Sequence, residues 1–70
     1  MPRFFFHVSD GSTFKDEDGE DFPGIASARA HAARIAHELA EAGDYRGFAI
    51  KVTDEQGNEV AHVAISKHAN

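Results

Sequence analysis

The segment from Ile25 to Ala42 limits the fold more than any other part of the chain. It is rich in alanine, holds no proline or glycine, and is bracketed by Gly24 and Gly43. That pattern predicts a helix of about five turns, with Gly24 as a tolerable N-cap and Gly43 as a left-handed C-cap. No second stretch reads as helix, so one helix must share its core with extended segments. At 100° per residue, Ile25, Ala28, Ala32, Ile35, Ala36 and Leu39 fall on one side, while Arg29, Ala33, Ala40 and Glu41 turn away. An alanine stripe lets a helix lie close on a sheet and leaves the bulky half of the core to the strands.

The strands show themselves by alternation. Arg3 to Ser9 places Phe4, Phe6 and Val8 on one face and Phe5 with His7 on the other. Asp10-Gly11-Ser12 is turn chemistry, and Thr13-Phe14-Lys15 returns as a short second strand. Phe48 to Thr53 turns Phe48, Ile50 and Val52 inward. Asp54 to Asn58 is a hairpin loop with Gly57 at the left-handed position. Glu59 to Ser66 completes the hairpin, with Ala61, Val63 and Ile65 on one side and Val60, His62 and Ala64 on the other. The expectation is one α+β domain spanning residues 1–70: a two-layer fold with a four-stranded antiparallel sheet, β-β-α-β-β, and its helix on one face. The strand order stays open, although either later strand can pair with the first. The tail from Lys67 to Asn70 is expected to fray.

Twelve acidic against seven basic residues give a net charge of −5, opposite in sign to the footprint that neutralises nucleic-acid phosphates. Nucleic acid is therefore not an expected partner, whereas a basic protein is. No apolar run approaches the 20 or so residues of a membrane span. The start, Met1 to His7, has no signal-peptide pattern, and the absence of cysteine removes disulfides and thiolate zinc sites. A cytoplasmic setting is expected.

Catalysis finds little to use. The four serines, Ser9, Ser12, Ser27 and Ser66, lie in no nucleophile context, and no glycine-rich phosphate loop is present. An enzyme is not expected, nor a cofactor. The five histidines raise the question of metal, because imidazole is a common ligand. His31 and His37 lie about 120° apart around the helix and cannot chelate together. His7 and His62 share the outer sheet face and would meet if the first and last strands were neighbours, giving at most a weak metal or small-ligand site. Asp16-Glu17-Asp18-Gly19-Glu20-Asp21 has calcium-loop composition without the spacing, so it reads as a solvated turn. The outer face is more informative. Phe5, His7, Val60 and His62, with Ala49 and Ala64, form an apolar surface that no internal element covers, which points to a protein interface and to a homodimer formed face to face or edge to edge.

The opening Met1-Pro2-Arg3-Phe4-Phe5-Phe6-His7-Val8, then Asp10-Gly11, Asp18-Gly19 before Phe22-Pro23, Ala28-Arg29-Ala30, and Val52-Thr53-Asp54-Glu55-Gln56-Gly57 resemble a family of small uncharacterised bacterial proteins with an MPRYFFH-type start, a domain of unknown function. The resemblance covers almost the whole chain. It implies a bacterial, cytoplasmic, stand-alone domain and carries no activity, cofactor or catalytic residue; Gly24 stands where that family suggests an acidic residue. The layout is also loosely similar to antitoxin domains of the HicB type, which neutralise a basic toxin. That likeness is of architecture only. The expected function is a non-catalytic, self-associating interaction module, with an acidic binder of a basic protein as the alternative.

Overall fold

The computed structural model of the chain describes residues 2–10, 13–43 and 47–65. In chain order the elements are β1 (Arg3–Ser9), β2 (Thr13–Phe14), β3 (Glu20–Asp21), α1 (Ile25–Ala42), β4 (Ala49–Thr53) and β5 (Glu59–Ala64). The sheet runs β2-β1-β4-β5, every pairing is antiparallel, and β3 adds to β1 beside β2. The fold is thus α+β as expected, with five strands where the sequence reading counted four. The extra strand is Glu20–Asp21, opposite Phe4 and Arg3. It comes from the acidic run read as a solvated turn, because a two-residue strand is too short to show a period.

Directly opposed residues share a sheet face. One face therefore carries Phe4, Phe6 and Val8 of β1, Ile50 and Val52 of β4, and Ala61 and Val63 of β5. Helix α1 covers this face by packing on β4 and β5. Phe4, Ile50, Val52 and Ile65 are buried beneath it, and from the helix come only Ala28, Ala32, Ala36 and Ala40. Strands supply the bulk and the helix supplies closeness, as expected. The stripe differs in detail, since Ala40 is buried and Ile25 is 51% exposed. A row of every fourth residue is inclined to the helix axis, so the helix lies aslant and a fixed azimuth misassigns its two ends.

Gly43 is extended, with φ −176°, and its N–H donates to the Leu39 carbonyl; the left-handed cap expected there is absent. Gly57 does take φ +86°. Its hairpin is held by Asp54, whose carboxylate accepts from the N–H groups of Gln56 and Asn58 at 2.9 and 2.8 Å. The Asn58 N–H is the main cause holding that carboxyl below its ordinary range. A bulge interrupts β5, where Glu59 faces Thr53 and Ala61 faces Val52. Val60 is the extra residue, and it packs against the core rather than extending the outer face. Strict alternation placed it outside because a bulge shifts the period by one residue. Among the described residues no helix is long and apolar enough to cross a membrane. The expected turn at Gly11-Ser12, the end of β5 at Ser66 and the tail lie outside the described residues.

Candidate functional site

The face opposite α1 carries three rows set by register. Phe5 stands beside Thr53 and Glu59, His7 beside Lys51 and then His62, and Ser9 beside Ala49 and Ala64. No described helix or strand crosses them, and the loop from Asp16 to Gly19 lies against His7 and Phe5 on the β1 side. Strand β4 lies between β1 and β5, so His7 and His62 are separated by Lys51 and two strand spacings, about 9.6 Å. The meeting of the two rings, which the sequence left open, does not occur. An ammonium group between two imidazoles also repels any cation that would bridge them. Among the described residues no three His, Asp or Glu side chains converge in a metal-binding geometry.

His7 is held at both ring nitrogens. Its Nδ1 accepts from the Asp16 N–H at 3.1 Å, and its Nε2 lies 3.0 Å from Thr53 Oγ1. Because a backbone N–H can only donate, Nδ1 must be unprotonated and neutral His7 carries its proton on Nε2. Nε2 therefore donates to the Thr53 hydroxyl. A base that activates this hydroxyl would need the opposite polarity, so the pair is arranged for structure rather than for nucleophile activation.

Asp16 organises the loop against β1. Strand β1 has β4 along one edge and a broken partner, β2 then β3, along the other. In the gap, Asp16 Oδ2 accepts from the Phe6 N–H at 3.1 Å. Its Oδ1 accepts from the N–H groups of Asp18 and Gly19 at 3.1 and 3.2 Å. One carboxylate thus replaces a missing ladder bond and closes the loop. Burial pushes its carboxyl up, but the donors Phe6, Gly19 and Asp18, helped by His7, outweigh this and hold it below the usual range.

The acidic run is largely consumed inside the chain. Asp21 pairs with Arg3 at 3.3 Å, Arg3 also donates to the Asp18 carbonyl at 2.7 Å, and Glu20 lies 3.4 Å from His31. His31 meets Phe6 edge-on and Phe22 at a tilt, each with ring centroids 5.0 Å apart. This cluster closes the helix side over β1, with His31 as the contribution of α1. Sequence spacing tested His31 only against His37 and so missed it; no local signal joins Glu20, Phe22 and His31.

Phe5 is half-buried. Its ring stacks on His7 at 6.5 Å, and Gly19 is pressed against it and against the Phe4 carbonyl. Among the described residues the most exposed phenylalanine is Phe14, at 62%, on the edge strand β2. The outer face is thus more mixed than the sequence suggested: Phe5, His7, Lys51, Thr53 and His62, with Ala49 and Ala64.

This geometry defines a small two-layer α+β domain with one sheet face left open and a polar network that fixes structure. The chain belongs to the family described as a domain of unknown function, DUF6894, whose model matches residues 3–66. No curated protein and no solved structure matches the chain.

Proposed function

We propose that this domain is a non-catalytic protein-interaction module that self-associates through the outer face of its sheet, around Phe5, His7 and His62. The supporting observation is that the one helix among the described residues covers one face while no described helix or strand covers the other. A sheet face that no helix covers and that carries a half-buried aromatic is a common site of association, and a domain of this size gains core by pairing. The polarity of the His7–Thr53 pair supports a non-catalytic reading. The cysteine-free chain suits a reducing setting, the bacterial cytoplasm.

Phe5→Glu places a charge on this face and should shift the assembly toward monomer in sedimentation velocity. An unchanged mass together with an unchanged thermal midpoint overturns the face as the contact. A basic protein partner is the weaker reading, since Asp16, Glu20 and Asp21 are engaged within the chain and leave Glu17 and Asp18 to meet it.

A further inference from the structure

The two edges of the sheet are built differently. The β2/β3 edge is split into two-residue strands, plugged by the Asp16 carboxylate and flanked by acidic side chains. Those features discourage strand addition, and two such edges would repel each other. The β5 edge is one continuous strand with no carboxylate plug, and its bulge at Val60 and its acidic Glu59 both lie at its start. It is a six-residue strand, Glu-Val-Ala-His-Val-Ala, without proline and with charge only at Glu59.

The direction of its backbone groups follows from the ladder. The Ile65 N–H donates to the Phe48 carbonyl at 2.9 Å, so Ile65, Val63 and Ala61 aim their backbone bonds at β4. His62 and Ala64 then aim their N–H and C=O groups out of the sheet, where no described strand lies. Such groups are completed by an extended backbone.

The helix shows which backbone fits. The flank of α1 that carries His31 faces β1, where His31 touches Phe6. The opposite flank, Arg29, Ala33, His37 and Glu41, is exposed and turned toward the β5 edge. Among the described residues neither Arg29 nor Glu41 has an ion-pair partner. A two-fold axis normal to the sheet and half a strand spacing beyond β5 would make two copies of β5 antiparallel and their helices antiparallel as well. With the axis level with Ile35, Arg29 of each copy stands opposite Glu41 of the other and Ala33 stands opposite His37 across the crossing. Because α1 lies over β4 and β5, the helix axes come about two strand spacings apart, about 9.6 Å. Packed helices sit 8 to 10 Å apart.

We propose that a second copy of this chain docks along the β5 edge, extending the sheet by antiparallel β5–β5 pairing and matching Arg29 to Glu41 across the helices. This rests on the reading that the chain self-associates, but not on the outer face as the contact, and it leaves both outer faces side by side on one continuous sheet.

The test is the dimer dissociation constant of the full chain by sedimentation. Ala64→Pro removes an outward N–H while leaving the β4 bonds in place, and should weaken the dimer at least about tenfold with circular dichroism unchanged. Glu41→Arg should weaken it by a similar factor by setting Arg29 against a second arginine. The double variant Arg29→Glu/Glu41→Arg should restore it, which a change confined to one chain's stability would not do. A dimer insensitive to Ala64→Pro but lost with Phe5→Glu overturns the edge and keeps the face. The reverse keeps the edge and overturns the face. A double variant no tighter than Glu41→Arg alone overturns the helix match, and a wild-type chain monomeric throughout overturns both contacts.

Discussion

Replacing Gly19 with alanine should destabilise the domain more than the same change at Gly24, Gly47 or Gly57. Gly19 sits at φ +72°, and a Cβ there would lie 2.8 Å from Arg3 Cγ, 2.8 Å from Phe5 Cε2 and 2.9 Å from the Phe4 carbonyl oxygen. The left-handed backbone costs an L-residue about 1–2 kcal/mol. The Arg3 side chain can swing away, but the Phe4 carbonyl is fixed by pairing with β3. Overpacking against such a neighbour adds about 1–3 kcal/mol, for a total of about 2–5 kcal/mol. In a domain of this size 1 kcal/mol moves the midpoint by about 4–8 °C, so Tm should fall by about 8–40 °C. Gly57→Ala is the control, since Gly57 has φ +86° and nothing within 4 Å of the added Cβ. It should show the backbone cost alone. Thermal melts and urea titrations of both variants compare the two sites. If Gly19→Ala costs no more than Gly57→Ala, the close packing of this loop on β1 is refuted.

Asp16→Asn keeps the shape of the side chain but leaves either the Phe6 N–H or the two loop donors without an acceptor, at a cost of about 1–2 kcal/mol measured by urea unfolding. The Asp16 carboxyl in the folded chain lies below its ordinary 3.8, so its stabilisation is present above about pH 4 and is lost as pH falls through the folded value. The acid limb of a stability profile should therefore be shallower in Asp16→Asn than in the parent chain. Ala32→Leu forces four carbons' worth of side chain where Ala32 is fully buried against the sheet, and should cost at least about 1–3 kcal/mol. Ala30→Leu, on the exposed back of the helix, should change stability by less than about 0.5 kcal/mol in the same denaturation assay.

Local patterns carried most of the fold. The alanine stripe, the Phe4-Phe6-Val8 alternation and Gly57 were all readable because each is set by neighbours one to four positions away. The differences arose where a long-range partner decides. Glu20 and Asp21 become a strand only because Arg3 and Phe4 leave an edge open beside them. Val60 turns to the core because β5 carries a bulge opposite Val52 and Thr53. Gly43 needs no left-handed turn because its N–H is already satisfied by Leu39. In the candidate site, Phe5, His7 and His62 were placed on the correct face by alternation alone. Their mutual distance was not legible, because strand order determines it and periodicity carries no strand order. The same holds for Asp16, whose role depends on a gap between two partners of β1 that no spacing rule displays.

The most direct measurement is sedimentation velocity on the parent chain over a wide concentration range, up to about 100 μM, in moderate salt. Self-association predicts a reversible shift to twice the 7.6 kDa chain mass as concentration rises. A single species at the chain mass across the whole range would contradict a self-associating module.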